Sequence, residues 1–307
     1  SVSKVPSAIV KQKIENPIAN VLVHIAAYLL FLVYMIPPVM ITIFSFTDAK
    51  AIQTANITAE SFTLENYRYA LTQASGLQPL IVSVVYSGLA ALIVVMMILF
   101  AARIVNKFRN PVTTILEYLL HIPWVLPSVL ISLGLIITYS QKHAIVGGLV
   151  LTGTTVLLLV GYIAEKIPFS FRLLNASFAG ISESLEEAAS MLGASTFYIT
   201  RKIMIPMVLP TALAVAALNF NSLLEDFNVS TFLSHPVLQP LGVVIRQATK
   251  GDTVKDSTAL IFVYTVLLMI IGSIILWAVY GEHKGIKKYL AKRRNARFTG
   301  KNTKVAA

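Results

Sequence analysis

The chain contains repeated apolar runs long enough to cross a lipid bilayer, and these runs restrict its fold more than any other feature. A membrane-spanning helix needs about 20 mostly apolar residues. Six such runs occur, at about residues 21–46, 79–102, 113–138, 145–164, 203–224 and 259–280. With 56% hydrophobic and 13% charged residues, the chain is too apolar for a water-soluble domain. We therefore predict an all-α, polytopic membrane protein with a transmembrane domain of six helices over residues 21–280.

Prolines are predicted to interrupt two of these runs. Pro37 and Pro38 lie within the first run, and Pro123 and Pro127 lie within the third. Membrane helices tolerate proline because neighbouring helices and side chains satisfy the carbonyl groups that it leaves without a partner. We therefore expect both runs to remain membrane spans despite these prolines.

The basic residues predict how the spans are oriented. Cytoplasmic loops of membrane proteins are enriched in Lys and Arg. If the N-terminus is cytoplasmic, 19 of the 25 Lys and Arg residues lie in cytoplasmic segments, which are 1–20, 103–112, 165–202 and 281–307. Both termini are therefore predicted to be cytoplasmic, with an N-terminal segment at 1–20 and a basic tail at 281–307. Next to a span, this tail is expected to face anionic lipid rather than nucleic acid.

The predicted cytoplasmic loop 165–202 contains the pattern of a short surface helix. Ser184 and Glu187 have the spacing of a capping box, in which each side chain satisfies a backbone N–H at the helix start. Gly193 is predicted to end the helix in a left-handed conformation, and Ser195 to cap a second helix. One apolar stripe, with i, i+3, i+4 and i+7 spacing, is formed by Leu185, Ala188, Ala189 and Leu192.

The same segment resembles the EAA loop of binding-protein-dependent ABC importer permeases of the MetI-like family. The family pattern is Glu-Ala-Ala, three residues, Gly, nine residues, Ile, one residue and Leu-Pro. Residues 187–189, Gly193, Ile203 and Pro206 match every spacing, and Ile205 replaces the usual Leu by a residue of similar volume. In that family the first short helix docks on a cytoplasmic ATPase. The resemblance implies a type I importer fold and ATPase-coupling residues at Ser184, Leu185, Glu187, Ala188, Ala189, Leu192 and Gly193.

The resemblance also implies the partners and location of the chain. The expected partners are two ABC ATPase subunits, a second permease copy or homologue, an extracellular or periplasmic substrate-binding protein and the lipid bilayer, with no nucleic acid. The expected location is the bacterial cell membrane. The sequence has no GxxxxGK[ST] phosphate-binding loop, so we expect ATP to be bound by the partner subunit. We predict no enzymatic activity, no catalytic residue and no cofactor in this chain, and, with zero cysteines, no thiolate metal site.

Three polar residues near the end of the fifth run are candidates for the substrate pathway: Asn221, Glu225 and Asp226. Two adjacent carboxylates at the outer mouth of a pathway attract cations. The alternative, equally compatible with composition, is that they only end the span. The segment 218–249 resembles the corresponding region of ferric-iron-type permeases, and polyamine permeases are similar here. We expect a ferric-iron importer, with a polyamine or another small solute as the alternative, because both cations suit carboxylate oxygen.

Two other classes of membrane protein compete with this interpretation. A secondary transporter is expected to have charged residues in mid-span or broken helices in two related halves, and neither is evident in the sequence. A membrane anchor without transport activity predicts no ATPase partner. Co-purification with an ATPase separates both classes from an importer permease.

Overall fold

The computed structural model describes residues 16–281 apart from 109, 143 and 250–256. Most of the predicted N-terminal segment 1–20 and of the basic tail 281–307 lies outside the described residues. In chain order the α-helices are α1 (Pro17–Ser45), α2 (Ala49–Thr54), α3 (Glu65–Thr72), α4 (Ala74–Lys107), α5 (Pro111–Val125), α6 (Ser128–Tyr139), α7 (Thr155–Ala179), α8 (Glu183–Met191), α9 (Thr196–Ile199), α10 (Ile205–Leu224), α11 (Asn228–Leu233), α12 (Leu241–Thr249) and α13 (Ser257–Tyr280). A π-helical turn, Thr200–Met204, joins α9 to α10.

The apolar helices confirm an all-α polytopic membrane protein. Within the described ranges, four helices are long and apolar enough to cross a membrane: α1, α4, the continuous helix Thr196–Leu224 and α13. The pair α5 and α6 makes a fifth candidate span, bent by 108° between its halves. Composition therefore marks four or five spans rather than the six predicted. The remaining long helix, α7, contains three charged residues, so it is not recognised by apolar composition alone.

Proline affects the two interrupted runs differently. α1 continues through Pro37 and Pro38 without a break. The third run breaks, because α5 ends at Val125 and α6 begins after Pro127. Leu126, the residue before Pro127, is extended, as expected from the steric restriction that proline places on its predecessor.

The predicted fourth span, 145–164, is wrong in position. α7 begins only at Thr155, where the Thr154 hydroxyl caps the helix by accepting a hydrogen bond from the Leu157 amide. Three glycines upstream of Thr155 have positive φ angles, which a helix excludes: Gly147, Gly148 and Gly153.

The cytoplasmic loop predicted to begin at residue 165 is also wrong at its start. Glu165 and Lys166 lie in the middle of α7, which continues to Ala179. Their side chains are bonded to Ser128 on α6 and Ser222 on α10. Charged residues are tolerated inside a membrane helix when they face protein and find partners there. Glu165 and Lys166, which were predicted to begin a loop, are therefore part of the helix bundle.

The core of the molecule lies between α4, α7 and α10. Its buried apolar side chains include Ile98, Phe171, Leu174, Val94, Val208 and Val215. A second apolar cluster joins α13 to α3, α10 and α12 through Leu224, Leu241, Val263 and Leu268. α5 and α6 pack against α7, and α1 packs against α13. The face of α1 away from α13 exposes apolar side chains along its whole length, which is typical of a lipid-facing helix.

Candidate functional site

The short helix α8 forms the centre of the sequence-predicted coupling segment. It begins at Glu183 after an extended Ser182, so Ser184 occupies the second helical position. The Ser184 hydroxyl is 2.7 Å from the Ser182 hydroxyl. The predicted capping box between Ser184 and Glu187 is therefore wrong, because the helix starts two residues earlier than the spacing suggests. Glu187 is exposed on the surface of α8.

Gly193 ends α8 in the conformation predicted for it, with φ of +81°. The Gly193 amide donates to the Ser190 carbonyl at 2.9 Å, and the Ala194 amide donates to the Ala189 carbonyl at 3.1 Å. These two bonds form a Schellman motif. Ser195 then caps α9 by accepting a hydrogen bond from the Tyr198 amide at 3.3 Å, as predicted.

The predicted apolar stripe of α8 divides between the core and the surface. Ala189 packs against the core between α4, α7 and α10. Leu185, Ala188 and Leu192 are exposed, and Leu192 retains 89% of its accessible surface. Met191, which was not predicted, is 88% exposed. α8 therefore contacts the core through the small side chain of Ala189, and its large apolar side chains are exposed. Exposed apolar side chains of this kind are typical of a surface that a partner covers.

A partly buried ion-pair network attaches α8 to α4, and it was not predicted from the sequence. Glu186 Oε1 accepts hydrogen bonds from Arg103 Nη2 at 2.7 Å and from Lys107 Nζ at 2.8 Å. Arg103 also donates to the Thr200 hydroxyl at 3.2 Å, which connects α4 to the π-helical turn. The Arg103 hydrogen bond, above all, lowers the pKa of Glu186, although partial burial opposes the shift. The spacing of Arg103 and Lys107, one helical turn apart, was the available signal.

The three residues predicted for the substrate pathway do not share a site. Asp226 is buried and caps α11, where its carboxylate accepts from the Ser230 amide at 2.9 Å and the Ser230 hydroxyl at 2.8 Å. Asn221 packs closely against Gly272 on α13, leaving no room there for a Cβ atom. Glu225 is exposed at the end of α10. The arrangement favours the span-ending interpretation for Asp226.

A cavity of about 470 Å³ lies between the α5–α6 break, the middle of α7 and α10. Its apolar wall contains Pro123, Trp124, Leu126, Pro168, Phe169 and Leu218, and its polar wall contains Ser128, Glu165, Lys166, Asn219 and Ser222. Trp124 and Leu126 are 55% and 44% exposed, so the cavity opens at the break. Asn221, Glu225 and Asp226 are not part of this lining.

The polar groups of the cavity are joined across three helices. Lys166 Nζ donates to Ser222 Oγ at 2.8 Å and lies 3.3 Å from Glu165 Oε1. Ser128 Oγ donates to the same Glu165 oxygen at 3.3 Å. Asn219 is 1% exposed and donates to Ser170 Oγ at 2.8 Å. Among the described residues, no group of three or more His, Asp or Glu side chains is placed to hold a metal ion directly.

Comparison with known proteins identifies the family. The family model for the binding-protein-dependent transport system inner membrane component matches residues 95–287, more than half of the chain. The chain therefore belongs to this family, whose members are the permease subunits of ABC importers. The matched residues include α5 to α8 and α10, and thus both the coupling segment and every residue that lines the cavity.

Relatives named for different substrates are similar to this chain in sequence. The ABC transporter permease protein y4fN of Sinorhizobium fredii is 34% identical over 87% of this chain and 47% of its own length. The chain thus spans about half the length of that relative. A permease protein named for 2-aminoethylphosphonate transport, PhnV of Salmonella typhimurium, is 24% identical over 84% of this chain and 94% of its own. The Fe(3+)-transport permease protein FbpB 2 of Haemophilus influenzae is 25% identical over 62% of this chain and 36% of its own.

Solved structures share the fold. A bacterial ABC transporter involved in the import of the acidic polysaccharide alginate matches with a TM-score of 0.67, at 13% identity, over 85% of this chain and 93% of the matched chain. The MetNI methionine ABC transporter matches with a TM-score of 0.51, at 18% identity, over 70% and 95%. The bent α5–α6 pair and the charged α7 therefore belong to an importer permease fold.

Proposed function

We propose that this chain couples a separate cytoplasmic ATPase to solute import through α8. The observation that carries the proposal is that α8 exposes Leu185, Met191 and Leu192 while Glu186 fixes the helix to α4. A rigid attachment lets a displacement of α8 move α4, one of the three core helices. Ser184, Glu187 and Ala188 lie on the exposed surface of α8 and form the rest of the docking face. Ala189 and Gly193 set the position and the end of the helix.

The complete importer contains two ATPase subunits, a second permease and an external binding protein. ATP is bound by the ATPase, and this chain holds no cofactor. Two relatives support the pairing of permeases, because the matched regions occupy only 47% and 36% of their chains, which leaves room for a second unit of this size. The excess of Lys and Arg in the segments on the α8 side supports a cytoplasmic α8 and cytoplasmic termini.

Ferric iron is the proposed substrate, and a polyamine is the alternative. The resemblance of residues 218–249 to ferric-iron-type permeases supports iron, together with the similarity to the Fe(3+)-transport permease of Haemophilus influenzae. The similarity to the spermidine/putrescine permease PotC of Escherichia coli, 32% identical over 38% of this chain, supports the alternative. The acidic pair at Glu225 and Asp226 no longer supports either, because Asp226 caps α11.

The proposal is tested by isolating the complex from its native membrane in mild detergent. We expect an ABC ATPase to co-purify with the chain, and ATP hydrolysis by the complex to rise when the binding protein is loaded with substrate. Mass spectrometry of the co-purified binding protein, after loading with ferric iron or spermidine, separates the two substrates. Isolation of the chain without any ATPase, under conditions where the permease fold is retained, contradicts the proposal.

A further inference from the structure

The membrane cavity contains two buried acceptor atoms without a partner. Glu165 Oε2 and Asn219 Oδ1 are both inaccessible to solvent, and neither accepts a hydrogen bond from any described residue. A buried acceptor that lacks a donor is destabilising, and the cost is higher for a carboxylate than for an amide. Both oxygens belong to residues that line the same cavity. The cavity is therefore deficient in hydrogen-bond donors.

Lys166 compensates the charge of Glu165 only in part. Its ammonium group is 2.8 Å from the Ser222 hydroxyl but 3.3 Å from the nearer Glu165 oxygen. Charge-assisted hydrogen bonds between ammonium and carboxylate are usually 2.7–2.9 Å long. Lys166 thus makes its short bond to Ser222, and both contacts that Glu165 receives, from Lys166 and Ser128, are long and fall on one oxygen. The other carboxylate oxygen has no hydrogen-bond donor among the described residues.

The apolar wall of the cavity suits a positively charged solute. Trp124 and Phe169 both line it, and the faces of aromatic rings attract cations; the Trp124 ring already has one such neighbour, the Arg172 guanidinium, 5.9 Å from the ring centre. A volume of about 470 Å³ also lies in the range of small-molecule binding sites. A neutral hydroxyl donor would satisfy the free oxygens but would gain nothing from the aromatic rings or from the carboxylate charge.

We propose that the cavity at the α5–α6 break is a binding site for a cationic solute that presents hydrogen-bond donors to Glu165 and Asn219. Ammonium groups and metal-bound water molecules share this chemistry. Lys166, which is already hydrogen-bonded to Ser222, is the resident counter-ion of Glu165. This inference rests on the proposed transport function and places one substrate-contacting site within the membrane part of this chain.

The cavity contains its own spectroscopic probe. The chain has two tryptophans, Trp124 and Trp277, and only Trp124 lines the cavity. In the full chain with Trp277→Phe, all tryptophan emission comes from the cavity. Two probes distinguish ammonium groups from metal-bound ligands as the hydrogen-bond donors of the solute. Spermidine carries ammonium groups, and hexaamminecobalt(III) is an inert substitute for a hydrated metal cation. Titration of the purified chain with each probe measures half-saturation directly.

We expect at least one probe to change the Trp124 emission with saturation. In the same background, Glu165→Gln should raise the half-saturating concentration about tenfold or more, because the nearly isosteric amide lacks the charge. Asn219→Leu should weaken binding in the same direction. Ser75→Ala, remote in sequence from every residue that lines the cavity, is the matched control and should leave the titration unchanged. Gel filtration and thermal unfolding establish that each variant is folded.

Three results would overturn the inference. These are the absence of a saturable response to either probe, an unchanged response in folded Glu165→Gln, and equal weakening by the Ser75 control. The measurement requires no ATPase, so it separates this inference from the proposed function. Intact cation binding in a chain that recruits no ATPase would contradict the proposed function alone. ATP-driven uptake by a chain that binds neither probe would contradict the inference alone.

Discussion

At the scale of single residues, Gly193 sets the direction in which the chain leaves α8. Its positive φ permits the two closing hydrogen bonds of the Schellman motif, and among the described residues no atom beyond its chain neighbours lies within 4 Å of the position that a Cβ would occupy. A substitution there therefore tests backbone conformation without a steric clash. Gly180 lies between the end of α7 and the start of α8. It has a negative φ and ordinary space for a Cβ, so it serves as the control position.

We predict that Gly193→Ala uncouples transport while Gly180→Ala does not. The left-handed conformation costs an alanine about 1 kcal/mol, which is enough to displace α8. Substrate-stimulated ATP hydrolysis should fall several-fold in the Gly193 variant, whereas the amount of chain in the membrane should stay at the parental level. Equal stimulation in both glycine variants would show that the end of α8 is not part of the coupling.

Gly193 positions α8 through its backbone conformation, whereas Glu186 does so through its side chain. We predict that Glu186→Gln loosens α8, whereas Glu187→Gln, on the exposed surface, does not. Loss of the ion pairs with Arg103 and Lys107 should cost about 1 kcal/mol, which corresponds to about fivefold faster amide hydrogen exchange in α8. Hydrogen exchange detected by mass spectrometry measures this. Unchanged protection of α8 would assign the ion pairs no stabilising role.

The pH dependence of this attachment has a defined sign. Because the hydrogen bonds from Arg103 and Lys107 lower the pKa of Glu186, its carboxylate is still charged where an ordinary glutamate protonates, at a pKa of about 4.3. The contribution to stability is complete above that value and is lost only as the pH falls through the lowered pKa. The protection of α8 in the parent, corrected for intrinsic exchange, should therefore not change between about pH 5 and 8.

At the scale of elements, α8 is a helix whose largest apolar side chains face away from the molecule. We predict that Leu192→Asp prevents association with the ATPase. A leucine side chain buried at an interface contributes about 1.5–3 kcal/mol, so the ATPase that co-purifies should fall about tenfold or more. Val237→Asp, an exposed apolar residue after α11, is the matched control. Full recovery of the ATPase with Leu192→Asp would exclude Leu192 from the docking face.

The elements also show how far local sequence patterns determine this fold. The third run was predicted to be interrupted at Pro123 and Pro127, and the structure interrupts it only between Val125 and Ser128. Gly193 and Ser195 correctly predicted the end of α8 and the start of α9. The fourth span was misplaced, because Glu165 and Lys166 match the composition of a loop. Their partners, Ser128 and Ser222, come from α6 and α10, and such tertiary contacts leave no signal in the local sequence. The cavity, which depends on these contacts, was missed for the same reason.

At the scale of the whole molecule, the predicted orientation places α8 on the cytoplasmic side and the α11 region outside. The absence of cysteine from the sequence makes this directly measurable. We predict that Val237→Cys reacts with a membrane-impermeant maleimide added to intact cells. Ser190→Cys, in a chain produced without its ATPase, should react only after the membrane is permeabilised. Labelling of Ser190→Cys from outside would invert the topology.

The family could be identified from the coupling segment, but the route of the substrate could not. Residues 187–206 form a local pattern that needs no knowledge of packing. The substrate pathway depends on which side chains meet across helices, and the carboxylate of Asp226, which was predicted to lie on that pathway, caps the adjacent α11. Asn219 was not predicted as a pathway residue, although it is only two residues from Asn221, which was. Asn219 lines the cavity and Asn221 does not.

The proposed function is solute transport driven by ATP hydrolysis in a partner that docks on α8. The most direct test is initial uptake into vesicles reconstituted with the purified complex, with loaded binding protein outside and ATP inside. We predict uptake that requires both components, persists after an ionophore collapses all ion gradients, and is lost with Leu192→Asp but retained with Val237→Asp. Uptake that needs an ion gradient and continues without ATP would contradict the account.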